Sequence, residues 1–398
     1  MTHFIVPMTC FIMLSTSITP LWSFIFIALA ALSTTLGFSQ GRIHYVLLDA
    51  SLLACYLSSC ISTALAYDIS TALPQLNLRT FALLLYLACR RSSGTESHLI
   101  LGAAMGMIVH CGQALWAFYK SYQEWVTLQF SHLVDFRSFV TLTGPGTRPG
   151  NHNAIYIIAI ILGLYEIGGH RRLSRSEIVI LLSVIGMSLA CVLLSFSRSL
   201  YLSALVCLLA AAWEARRRLS LKQTAVIYGV GSIIIIVAAA GLIWIRPVMN
   251  AIIDTGLFGT RLSHQLSVSG RISIYREALD LVEHCGWFGA GVSNYTLALR
   301  SQGLAAPSLL TAHAFNVILE CTIEQGRLGF VTLVLVLWGI IRALAQRFLM
   351  NQGWTLSGGF IALLLYSMSQ TFVIADQETA TSLAVFCSVV AGKGERYA

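Results

Sequence analysis

Recurring apolar runs of 15 to 22 residues limit this chain more than any other feature. Each matches the ~20 residues that carry a helix across a ~30 Å hydrocarbon core. The runs are continuous rather than alternating, so helix is the element they encode. Composition agrees: of 398 residues, 57% are hydrophobic and 11% charged, where a soluble domain carries roughly 25% charge. The expected fold class is an all-α polytopic integral membrane protein, one membrane domain over residues 1–398. In such a chain the net charge of +8 is read through topology and implies no nucleic-acid partner.

Charged borders divide the chain into about 12 transmembrane helices, near 4–19, 22–38, 46–66, 77–90, 98–119, 152–168, 177–195, 199–214, 224–245, 326–345, 354–374 and 379–392. The first run lacks a basic n-region and a small-residue cleavage site, so it is expected to stay as a helix. Placing the N-terminus in the cytoplasm puts Arg90, Arg91, Arg171, Arg172, the 216–222 cluster, Arg342 and Arg347 on the inner side. That is the positive-inside pattern. Asp68, Asp376 and Glu378 then fall in outer turns, and both termini are cytoplasmic.

Two long outer connections remain, 120–151 and 246–325. The second far exceeds the ~12–15 residues beyond which a connection is usually functional or disordered. It forms a large, partly helical outer loop between helices 9 and 10. Within it, 272–285 reads as an amphipathic helix, with Ile272, Tyr275, Leu279 and Val282 on one face and Arg276, Asp280 and Glu283 on the other. A glycine-bearing turn, CGWFGAGVSNY, follows.

Eight of the ten cysteines lie in spans as small apolar fillers; Cys285 and Cys321 face the outer side and could pair. No metal-ligand spacing occurs, and no cofactor is expected. Attention falls on outer cations that lack a cheap explanation. Arg198, in the turn SFSRSLYLS, has no acid between Glu177 and Glu214 to pair with; it reads either as a headgroup snorkel or as an anion site. Arg271 precedes the loop helix without an adjacent acid, whereas Arg276 can pair with Asp280 at i,i+4. Arg148, in GTRPGNHN, stands at the outer mouth of a span. His313, in TAHAFNVILE, lies where the loop returns to the membrane, and a near-neutral imidazole suits a general base.

These segments carry a resemblance. SFSRSLYLS resembles the S-x-S-R element of the O-antigen ligase and polymerase superfamily, and SGRISIYREALDLVEHCGWFGAGVSNY resembles its outer-loop signature. HAFNVILECTIEQGRLG resembles its return segment, with Asn316, Leu319, Glu324, Gly326 and Gly329 in register. GTRPGNHN resembles the element before the mid-chain span. The family commonly has a histidine directly before the asparagine; here that position is Phe315, and His313 stands two residues earlier.

The resemblance implies a metal-independent, inverting glycosyltransferase in the bacterial inner membrane, with its site facing the periplasm. It would move a glycan from undecaprenyl diphosphate to the lipid A-core of lipopolysaccharide. Arg198 and Arg271 would bind the diphosphate and stabilise the leaving group, His313 would be the base, and Arg148, Arg276 and Asn316 would help hold substrate. An O-antigen polymerase or a protein O-oligosaccharyltransferase of the same superfamily is the near alternative. A transporter or flippase is more distant, because the chain lacks similar halves and has few mid-span charges.

Overall fold

The computed structural model describes residues 7–8, 10–12, 46–91, 96–127, 153–168, 173–195, 197–216, 268–302, 314, 316–349, 353–368 and 377–392. The elements among them are all helices: α1 (Val46–Ala64), α2 (Ile69–Arg91), α3 (Glu96–Thr127), α4 (Asn153–Ile167), α5 (Arg175–Leu194), α6 (Arg198–Arg216), α7 (Val268–His284), α8 (Tyr295–Ser301), α9 (Val317–Leu349), α10 (Trp354–Ser367) and α11 (Gln377–Ala391). Six are long and apolar enough to cross a membrane: α1, α2, α3, α5, α6 and α9. Within α4, α10 and α11 lie shorter apolar helices. The expected spans at 4–19, 22–38 and 224–245 fall largely or wholly outside the described residues.

Burial separates a hub from a rim. Every residue from Ala154 to Gly163 of α4 is buried, as expected of a helix that is apolar all round. It packs against α3, α5, α6, α10 and α11. On outer helices only one stripe is covered. α5 buries Leu181, Val184, Ser188 and Cys191 and leaves Val179 and Leu182 exposed. α9 likewise exposes Val331, Val334, Leu335 and Trp338. Such contiguous apolar exposure is the surface that lipid covers. Small residues bring backbones close: Gly358 faces Ala210, Gly359 faces Ile161, and Ser203 Oγ donates to Ala362 O at 2.9 Å.

Several boundaries differ from the sequence reading. α2 starts at Ile69, eight residues before the expected 77, because Asp68 accepts hydrogen bonds from Ser70 N and from the Ser70 and Thr71 hydroxyls and so caps a polar first turn. Those bonds hold the Asp68 carboxyl below the usual carboxylate range. α9 begins at Val317, inside the expected loop, and is broken at Gly326 (φ 69°, ψ −163°). It thus comprises a short return helix, 317–325, and a long span, 327–349. The loop helix α7 buries Ile274, Ala278, Leu281 and Cys285, while Leu279, assigned to the apolar face, is 53% exposed. Small side chains decide this face: Ala278, Cys285, Ala290 and Ala298 let α7, α8 and the return helix close into a second core around Tyr295 and Ile323.

One end of the bundle is sealed by Arg347. The charge pattern of the sequence sets it with the other inner-side cations, and in the fold it is 1% exposed. Its Nε donates to Val390 O at 3.0 Å, Nη1 to Tyr165 Oη at 2.7 Å, and Nη2 to Gly392 O at 2.8 Å and to Val389 O. Glu96 lies 3.7 Å away. The guanidinium thereby caps the carbonyls at the C-terminal end of α11, where Gly392 N also donates to Val389 O at 3.2 Å.

Candidate active site

The opposite end is built around the turn 286–294, wedged between the α1–α2 connection and the break in α9. Tyr67 N donates to Ala290 O at 3.0 Å. Ala290 N donates to Ile323 O at 3.0 Å, Gly291 N to Glu324 O at 2.9 Å, and Leu328 N to Trp287 O at 3.1 Å. Asn294 Nδ2 reaches Asp68 O at 3.1 Å. At the centre, Gly289 (φ 72°) and Gly326 (φ 69°) meet backbone to backbone. A Cβ on Gly289 would lie 2.4 Å from Gly326 N, and one on Gly326 would lie 2.4 Å from Trp287 O. The left-handed backbone and the missing side chain are both required.

Below the turn, Glu324 of α9 gathers partners from two other helices, α1 and α2. Its carbonyl accepts from Ser62 Oγ at 2.5 Å, and its carboxylate lies 3.6 Å from Arg79 Nη2. Arg79 Nη1 donates to Ser59 Oγ at 2.8 Å, and Ser59 Oγ donates to Gln325 Oε1 at 3.2 Å. Arg79 stands about 15 Å along α2 from Ile69, inside the stretch long and apolar enough to cross a membrane. The sequence reading missed it; an arginine inside an apolar run was the available signal.

This network borders a cavity of about 300 Å³. Its wall is apolar along Leu52, Leu333, Leu337, Ile340, Phe360 and Leu363, and polar at Ser59, Arg79, Glu320, Glu324, Gln325 and Ser367. Behind it, Tyr295 is 1% exposed. Burial pushes its phenol pKa up, and the nearby Glu320 and Glu277 carboxylates add to that. Burial also raises Glu277, with Asp280 contributing. Among the described residues, no group of three His, Cys, Asp or Glu side chains could hold a metal ion.

The sequence-selected residues divide sharply. Arg148 and His313 lie outside the described residues, and the side chains of Arg198 and Arg271 do too. The backbone of Arg198 opens α6 and that of Arg271 sits in the first turn of α7. Both helices reach this end. α6 runs antiparallel to α10, since Glu214 Oε2 accepts from Thr355 N at 2.8 Å while Ser203 pairs with Ala362; Arg198 therefore lies toward Met368. Tyr275 of α7 donates to Met368 O at 3.2 Å. Arg276 is exposed, and among the described residues no ion pair joins it to Asp280. Asn316 caps α9, its Oδ1 accepting from Ile318 N at 2.9 Å and Leu319 N at 3.3 Å. Ala314, next to His313, is fully buried. Cys285 and Cys321 are separate thiols, donating to Ile323 O and Gly329 O; burial raises Cys285 to about 11.

Residues 181–334 match the family model described as O-antigen ligase. The matched stretch holds the start of α6, the turn 286–294, the return helix and Gly326, the parts that meet at this end. The match covers the middle of the chain and supports membership of the O-antigen ligase/polymerase superfamily. Members of the superfamily are glycosyltransferase-like enzymes of O-antigen pathways. No curated protein matches the sequence.

Proposed function

We propose that the chain is an O-antigen ligase of the bacterial inner membrane, transferring a glycan from undecaprenyl diphosphate to the lipid A-core at the periplasmic face. The observation that carries this reading is the convergence of the superfamily's segments at one end of a helical bundle, beside a cavity with an apolar wall. Outside the cytoplasm there is no nucleotide sugar, so activation arrives with a lipid-borne diphosphate. An apolar wall with a polar mouth suits a substrate that is hydrocarbon at one end and glycan at the other.

Arg198 and Arg271 would grip the diphosphate through bidentate forks and offset the charge that grows on it as the glycosidic bond breaks. His313 would take the proton of the acceptor hydroxyl, a contribution of about 10²–10⁴ in rate. That hydroxyl's oxygen displaces the diphosphate from the anomeric carbon in one step, with inversion. Arg148 and Arg276 would add positive charge at the mouth. Asn316, whose Oδ1 caps α9, would act on substrate only through its amide nitrogen. In this arrangement all twelve spans form, the 246–325 segment is periplasmic, and both termini are cytoplasmic.

The test is purified protein in proteoliposomes with lipid-linked glycan and rough lipopolysaccharide, without nucleotide. Glycan appearing on lipopolysaccharide supports the ligase. Longer glycan on the lipid carrier alone would make the chain a polymerase, and transfer to neither would refute both.

A further inference from the structure

Arg79 belongs to none of the segments that carry the resemblance, yet among the described residues it makes the ion pair at the site end. Joining it to Glu324 is expensive. Two charges leave water for an apolar bundle, and a buried pair seldom adds stability over apolar residues of the same size. Attachment of the turn does not need it. Ser62, Gly291 and Ala290 already fasten the backbone of 323–324 by direct hydrogen bonds. What Arg79 adds is a side-chain restraint at the cavity wall, with its guanidinium fixed on Ser59 and on Glu324.

The return helix 317–325 spans about 13 Å, with Glu324 near one end and the Asn316 cap at the other; His313 precedes that cap by three residues. The geometry points to Arg79 as a positioning residue for glycan transfer. By holding Glu324, it fixes the tilt and register of the return helix and of the Asn316 cap from which that helix starts. Without it, Glu324 and Glu320, one helical turn apart on the cavity wall, lose the cation between α2 and α9 that draws the helix against the bundle. This rests on the transferase reading above and deepens it, since Arg79 acts through Glu324 and not on the substrate.

The experiment is a double-mutant cycle in proteoliposomes: Arg79→Gln, Glu324→Gln, both together, and Arg79→Lys. Each single change is expected to lower kcat by about tenfold or more with KM for the lipid-linked donor within about twofold. The double variant should be no worse than either single, because the two residues act as a unit. Arg79→Lys should regain part of kcat. Arg79→Leu/Glu324→Leu, which buries no charge, guards against misfolding and should show the same kcat defect. A second readout does not depend on transfer. In protein retaining Cys321 as its only cysteine, the maleimide labelling rate should rise in Arg79→Gln, since Cys321 lies on the return helix.

A loss confined to KM would make Arg79 a donor contact and overturn the proposal, as would additive losses or wild-type kcat in all variants. Absent transfer in the wild type would sink the ligase reading alone. Unchanged Cys321 labelling in Arg79→Gln would then still sink the positioning role.

Discussion

At one end of the bundle Arg347 is 1% exposed and turns its donors on main-chain carbonyls and a tyrosine hydroxyl. At the other end Arg79 keeps 16% exposure and faces a carboxylate 3.6 Å away across a cavity wall. Both are cations drawn into an apolar protein, the first buried and the second partly so. The first is surrounded on every side and closes a helix terminus, so its work is structural. The second is held by one hydroxyl and one acid beside open space, a setting that leaves free energy for a task other than folding. A buried arginine is therefore read by what its donors touch, and not by its burial.

The comparison is broken most severely by substitutions at the site end that spare the fold. Arg198→Ala or Arg271→Ala should abolish glycan transfer while the melting temperature in detergent holds, and Lys should rescue poorly because it lacks the bidentate fork. His313→Ala should cut transfer by at least about 100-fold. In the unsubstituted protein transfer should rise with pH through one ionisation near ~6.5. Near-normal turnover of purified His313→Ala would remove that role. At the sealed end the expectation reverses. Arg347→Leu removes the cation beside Glu96 and the donors at the end of α11, and breaking a buried pair costs about 3–5 kcal/mol, so folded protein recovered in detergent should fall sharply. Full recovery with an unchanged melting temperature would erase the contrast between the two ends.

Gly326→Ala tests the seating of the turn. Its Cβ would meet Trp287 backbone atoms at 2.4 Å in a left-handed conformation, so both melting temperature and transfer should drop, by less than for Arg347→Leu. Arg276→Ala, at an exposed residue with no ion pair to Asp280 among the described residues, should alter stability by no more than about 0.5 kcal/mol; equal inactivity of Arg276→Ala and Arg271→Ala would put the two on a par. The smallest effect concerns Glu277, whose pKa is raised in the fold by burial and by Asp280. A folded state that holds this proton more tightly loses stability as pH rises from the ordinary carboxylate range through the raised value. Glu277→Gln should flatten that slope in melting curves taken between about pH 4 and 6.

Hydropathy located nine of the described helices, because crossing a hydrocarbon core is a demand on consecutive residues and can be read locally. Glycines in GWFGAG and EQG were legible for the same reason: positive φ is a property of one residue. The amphipathic loop helix was found, but its face was misjudged at Leu279. The core it packs into is lined by alanines and a cysteine that a hydrophobic count undervalues.

Apolar runs thus determined by themselves that the chain is a helical membrane protein, and short segments pointed to the superfamily whose model matches residues 181–334. Tertiary structure decided where the buried charges went. Nothing near Arg79 in sequence announces Glu324, and nothing near Arg347 announces the end of α11. Helix formation obeys contacts three and four residues apart, whereas ion pairs between helices are chosen by packing across the whole bundle, where distance along the chain has no bearing on the energy.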